Sequence, residues 1–160
     1  MNKLKEPNQT QDEPFMQLAI EQAQLAAQKN EVPIGAVIVH DGDVIASAYN
    51  LKETEQDATA HAELLCLREA STKRENWRLT GCTVYVTLEP CPMCLSALIQ
   101  ARVSRIVYGA ADPVMGACGS KVDLSAVHEA NPNVEIIGEV LANECRQLID
   151  DFWAKRRNPL

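Results

Sequence analysis

The chain has 160 residues, 46% hydrophobic and 23% charged, which supplies one ordinary globular core and excludes an intrinsically disordered chain. Its formal charge of −7 argues against non-specific nucleic-acid binding, which feeds on basic surface, though a local basic patch stays open. No apolar run approaches the ~20 residues of a membrane-spanning helix, and the polar start M-N-K-L-K-E-P-N-Q-T-Q-D-E lacks the apolar centre of a signal peptide, so the expected setting is the cytoplasm, off the membrane.

Residues 1–12 read as a solvated polar tail, leaving 13–158 as a single domain. From 13 to 29 the positions Phe15, Leu18, Ala19, Leu25 and Ala26 fall at three- and four-residue spacing, broken only by Gln22. This predicts an amphipathic helix, ended near Asn30 and Pro33. I-G-A-V-I-V-H at 34–40 and V-I-A-S-A-Y at 44–49 predict two strands joined by a tight Asp-Gly turn, followed by a polar loop over 50–59. Thr59 is placed to cap a helix over 60–73, rich in strong helix formers. Next come an apolar, β-branched strand at 81–88, a helix at 92–101 and a strand at 104–109. Residues 110–132 read as a long irregular segment, 134–138 as a last strand and 143–157 as a closing helix. Alternating strand and helix patterns predict an α/β fold, a three-layer α/β/α domain with a mixed sheet of about five strands. The hairpin supplies the antiparallel pair, and the strand–helix–strand at 83–108 resembles a parallel βαβ unit.

Six cysteines, at 66, 82, 91, 94, 118 and 145, stay reduced in a cytosolic setting, so a disulfide framework is not expected. Cys66, Cys82 and Cys145 are expected to have no chemistry. Cys91 and Cys94, three apart, are open to several readings: a redox pair, half of a zinc site, or two small buried residues. His61 is the candidate partner, because one imidazole and two thiolates match the three-ligand set of a catalytic zinc, whose fourth place is left for water. Cys91 and Cys94 open one predicted helix, and His61 opens another. Helix N-termini favour the thiolate that a metal requires. Two thiolates and a neutral imidazole leave such an ion nearly neutral overall, so a water on it is acidified. Glu63, two positions past His61, would then stand within proton-transfer reach; in its plainer reading it only suits a helix N-terminus. A structural four-ligand site recruiting Cys118 is the remaining alternative.

H-A-E at 61–63 followed by P-C-P-M-C at 90–94 resembles the H-x-E…P-C-x-x-C signature of the zinc-dependent nucleobase deaminases. E-V-P-I-G-A-V (31–37), A-Y-N (48–50), T-A-H-A-E (59–63), Y-V-T-L-E-P-C (85–91), G-A-C-G-S (116–120) and D-F-W-A-K-R-R (151–157) are similar to the bacterial tRNA-specific adenosine deaminases, over nearly the whole chain. The resemblance implies a cytidine-deaminase-like fold, a homodimer, one zinc per subunit, and hydrolysis of the wobble adenosine of an arginine tRNA to inosine. It assigns His61, Cys91 and Cys94 as zinc ligands, Glu63 as proton shuttle and Asn50 as the residue that contacts the flipped base. Ile34 and Leu88, on strand ends near these motifs, are candidate pocket walls. The chain departs from the family pattern at Ala58, where relatives often have Pro, and at Val114, where they often have a basic residue. Asp112-Pro113 is retained, and Asp112 is kept as a substrate-side candidate.

An RNA stem-loop is held partly by its phosphates and read through its unpaired bases. The positive charge is clustered, in Lys73, Arg74 and Arg78 and again in Lys155, Arg156 and Arg157. Trp153 and Arg156 are therefore candidate contacts to the tRNA anticodon stem-loop, against the plainer reading that basic residues suit a helix C-terminus. Two rival functions remain. One is a guanine or other free-base or nucleoside deaminase with the same zinc chemistry. The other is a catalytically idle zinc-binding partner subunit.

Overall fold

In the computed structural model, which describes residues 9–126, 129 and 131–158, β1 (Gly35–His40) and β2 (Asp43–Tyr49) form an antiparallel hairpin. Asp41 and Gly42 both take positive φ, 50° and 81°, the two-residue turn whose twist matches that of the strands it joins. β3 (Cys82–Leu88) pairs antiparallel with β1 and parallel with β4 (Arg105–Ala110), and β5 (Glu135–Ile137) adds a last parallel edge. The sheet order is β2-β1-β3-β4-β5. Among the described residues the helices are α1 (Gln9–Gln28), α2 (Ala62–Arg74), α3 (Pro92–Gln100) and α4 (Ala142–Arg157).

Strand periodicity of two sorts the core into its layers. Ala36, Ile38, Val84, Val86, Ile106 and Tyr108 face one way and pack with Ala62, Cys66 and Ala70 of α2 and Leu95, Leu98 and Ile99 of α3. Val37, Val39, Tyr85 and Val107 face the other way, onto Met16, Ala19 and Ile20 of α1 and Cys145 of α4. The three-layer mixed sheet is the expected architecture, with α3 as the crossover between the parallel strands β3 and β4.

Three local expectations are corrected. The solvated tail does not extend to residue 12: α1 begins at Gln9, and residues 1–8 lie outside the described residues. Asp12 is wholly buried, because Arg105 meets it at 3.1 Å and the Tyr85 hydroxyl donates to it at 2.9 Å. A buried charge is tolerated only with such partners. The apolar stripe of α1 is also rotated from the one expected, with Leu18 and Leu25 36% and 40% exposed while Met16, Ala19, Ile20, Ala23 and Ala26 are buried. Gly35 is the cause: a Cβ there would lie 2.1 Å from the Ala19 carbonyl oxygen and 2.4 Å from the Ala23 nitrogen. So close an approach of helix to strand admits alanines and turns the leucines outward. Finally, Thr59 does not cap α2. Its N–H and hydroxyl both donate to Asp57, at 2.8 and 2.7 Å, and His61 takes the cap position.

Candidate active site

His61 is the N-cap of α2 and Cys91 the N-cap of α3, each in extended backbone, with Pro92 opening the latter helix and Cys94 on its first turn. Both helices pack on the same sheet face, so their N-termini meet. Nδ1 of His61 lies 3.5 Å from Sγ of Cys94 and 3.7 Å from Sγ of Cys91. Bond lengths of ~2.0 Å to nitrogen and ~2.3 Å to sulfur at tetrahedral angles require ligand separations of about 3.6 Å, so this donor set fits a zinc ion. Among the described residues these three form the group able to hold a metal, and Cys118 is not part of it. The four-ligand structural alternative is therefore not what the fold builds.

The electrostatics suit the same use. A hydrogen bond from Cys94, and then one from His61, pulls the Cys91 thiol down to about 4. Cys94 is pushed up, first by that same bond to Cys91 and then by burial. The bond to Cys91 raises His61. Glu63, in the first turn of α2 and 3% exposed, is raised by burial to about 7. A carboxyl poised near neutrality can both accept and return a proton at working pH. By contrast, burial raises Cys66, Cys82, Cys118 and Cys145, which leaves these thiols protonated and inert at neutral pH.

The remaining candidates fall into two sets. Asn50 is buried, and its side chain braces the backbone: Nδ2 donates to the Val32 carbonyl at 3.3 Å and Oδ1 accepts from Lys52 N–H at 3.1 Å. Ile34 is half-buried against the α2 and α3 core. Leu88, Asp112 and Trp153 come together from distant parts of the chain, with Val32, Val114 and Met115, around a groove of about 440 Å³. Arg156 lies over the Phe152 ring at 4.6 Å and the Trp153 ring at 5.7 Å, and donates to the Asn30 carbonyl at 3.0 Å. The two basic clusters are not joined by the fold, since Lys73 and Arg74 end α2 and Lys155 to Arg157 end α4, on opposite faces of the sheet.

Besides Asp12, two buried acids were missed in the sequence. Glu31 accepts the Glu53 N–H at 2.9 Å and so ties the loop after Asn50 to the end of α1. Glu89, 2% exposed, accepts the N–H of Asp112 at 3.1 Å and the hydroxyl of Ser120 at 3.0 Å. The only signal for Glu89 was an acid at the end of an apolar strand, immediately before Pro90-Cys91.

Comparison with known proteins gives a consistent result. A family model for MafB19-like deaminases matches residues 10–157. The chain is 47% identical over 148 residues to the tRNA-specific adenosine deaminase of Bacillus subtilis (strain 168), covering 92% of each. Among solved structures it is similar to one from a study of A-to-I editing by tRNA:A34 deaminases at the wobble position of transfer RNA. That match has a TM-score of 0.79 and 40% identity, over 84% of this chain and 98% of the other. A guanine deaminase from Bacillus subtilis aligns less completely, with a TM-score of 0.59 and 39% identity over 62% of this chain and 64% of the other.

Proposed function

Because the chain belongs to the MafB19-like deaminase family, in the branch of the tRNA-specific adenosine deaminases, we propose that it converts adenosine to inosine at the wobble position of a tRNA anticodon, an arginine tRNA first among its substrates. The observation that carries this is the placement of buried Glu63 beside the convergent His61, Cys91 and Cys94. A purely structural metal site has no use for a buried carboxyl at that point.

His61, Cys91 and Cys94 are the residues that would hold one zinc per subunit. Zinc, when bound, supplies Lewis-acid activation of water. Glu63 takes the proton from the attacking water and delivers it to the ring nitrogen next to C6 of the base. The water oxygen bonds to C6. Glu63 then carries the second proton to the exocyclic amine, the C6–N bond breaks, and ammonia leaves inosine behind. The base must be flipped out of its stack to reach Glu63. Asn50 is proposed to contact it, with Ile34 and Leu88 as walls. The groove of Leu88, Asp112 and Trp153, with Arg156 at its rim, is the proposed seat for neighbouring nucleotides of the anticodon loop, where an aromatic ring and a cation suit unstacked bases and phosphate. A homodimer and a cytoplasmic setting belong to the same proposal, the first implied by the resemblance to the tRNA-specific adenosine deaminases and the second by the composition. Among the described residues no helix is long and apolar enough to cross a membrane.

The test is incubation of the zinc-loaded protein with an arginine tRNA carrying adenosine at the wobble position, followed by sequencing. Inosine reads as guanosine; an unchanged adenosine rejects the proposal. Ammonia released from free guanine with the tRNA untouched would favour the guanine-deaminase alternative. An idle partner subunit would keep every function in Glu63→Ala.

A further inference from the structure

Asp112 to Met115, the first half of loop 112–120, line one wall of the groove, and their outermost side chains, Val114 and Met115, are 70% and 53% exposed. Inside the loop, Asp112 Oδ1 accepts the N–H groups of Val114 and Met115 at 2.9 and 3.2 Å, and the Asp112 carbonyl accepts from Gly116 at 2.9 Å. These bonds shape the turn without saying where it sits on the molecule. Its position is set from the strand below. Glu89 reaches both feet of the loop, accepting from Asp112 N–H through Oε2 and from the Ser120 hydroxyl through Oε1. The next residue, Pro90, accepts the Ala117 N–H at 2.9 Å. The loop also closes directly onto the carboxylate, because a Cβ at Gly116 would lie 1.5 Å from Glu89 Oε2. On the preceding side, Arg146 of α4 donates to the Ala111 carbonyl.

A carboxyl 2% exposed is a costly way to fill space, since an apolar residue needs no hydrogen-bond partners there. What distinguishes Glu89 is its position in the chain. It stands two residues before Cys91, so the strand end that delivers a metal ligand also delivers the anchor of the groove wall. We propose that Glu89 is a positioning residue, holding loop 112–120 in register with the His61, Cys91 and Cys94 group, and that it thereby sets affinity for the RNA rather than the rate of the chemistry. Glu89 does not touch the reacting base. The effect on RNA rests on the function proposed above; the anchoring of the loop does not.

The experiment compares zinc-loaded wild type, Glu89→Gln and Ser120→Ala on a tRNA anticodon stem-loop, with zinc content measured for each. Glutamine keeps the shape and loses the charge that strengthens both hydrogen bonds. Loss of such charge-assisted bonds raises KM about tenfold in Glu89→Gln and about threefold in Ser120→Ala. kcat and the zinc stoichiometry stay at wild-type values. Direct binding of the same stem-loop to Glu63→Ala, with and without Glu89→Gln, gives the same tenfold loss without turnover. A KM that does not move, or a kcat that falls together with zinc content, overturns the proposal. Amide exchange over residues 112–117, faster in both loop variants while residues 62–66 are unchanged, reads the anchoring with no substrate present, and equal exchange overturns it. A wild type that leaves the stem-loop untouched rejects the proposed function instead, and the exchange result still decides the anchoring. Where Glu89→Gln fails to fold, Ser120→Ala decides both.

Discussion

Asp12 and Glu63 are carboxyl groups buried in the first turns of α1 and α2, and they are handled in opposite ways. Asp12, near the start of α1, is tied to a fixed cation: two guanidinium nitrogens of Arg105 donate to it at 3.2 and 3.1 Å, and the Tyr85 hydroxyl adds a third bond. Glu63, in the first turn of α2, has thiols and an imidazole around it and is raised by burial to about 7. The same residue chemistry therefore becomes a clamp where a guanidinium is supplied and, in the proposed mechanism, a proton carrier where it is withheld. The partner, more than the burial, decides which one results.

The largest effect is expected at Glu63, the proposed proton carrier. Glu63→Gln is expected to lower kcat by about 10³-fold or more, the range of general acid–base catalysis, while zinc content stays at one per chain. Its melting temperature should hold or rise, because a neutral amide replaces a buried titrating group. Single-turnover assays and a thermal melt check this, and a variant that keeps wild-type kcat would reduce Glu63 to a helix-start residue. Asp12→Ala should do the reverse. Removing Asp12 leaves Arg105 with Glu135, 3.7 Å away, as its ion-pair partner, and costs about 3 kcal/mol, the lower end for a broken buried pair, read as a lower urea midpoint. In the fraction that stays folded, kcat and zinc content should match wild type. Equal damage to activity and stability in both variants would erase the distinction. A milder probe is Gly35→Ala, which forces the α1 backbone away from β1 and is expected to cost more than about 1 kcal/mol, again with the active-site residues untouched. An unchanged urea midpoint would show that the helix shifts freely.

The clamp and the carrier also differ in how far they could be read from the chain. His61, Glu63, Cys91 and Cys94 lie in two short motifs whose residue types are dictated by ligand and proton chemistry, so their grouping was legible before any fold. The five strands were legible for a similar reason, since each has its periodicity within a few residues. Asp12 was not, because its partner Arg105 lies 93 residues away and an isolated acid in a polar segment looks like tail. The rotation of α1 was hidden for the same reason, since the deciding residue, Gly35, sits on another element. Glu89 was hidden by its neighbours: beside Pro90 and Cys91 it reads as part of a motif, while its partners Asp112 and Ser120 belong to a segment with no periodicity at all. Local chemistry was readable; long-range pairing was not.

The smallest expected effect lies at Arg156, on the groove's rim. Arg156 is exposed and uses one nitrogen on the Asn30 carbonyl, while its guanidinium stacks over Phe152 and Trp153. Unlike Arg105 it neutralises no buried acid, so Arg156→Ala should leave the urea midpoint nearly unchanged. If its charge meets phosphate, stem-loop affinity should fall by a few-fold and the slope of log K against log salt should shrink by about one. Trp153→Ala separates stacking from charge at the same place: loss of a base–aromatic contact weakens binding by about 5- to 100-fold without altering the salt slope. Filter binding across a salt series measures both. Should Arg156→Ala change the urea midpoint and leave the salt slope alone, its guanidinium would be a second clamp, and the cation that serves the RNA would have to be sought in Lys155 or Arg157.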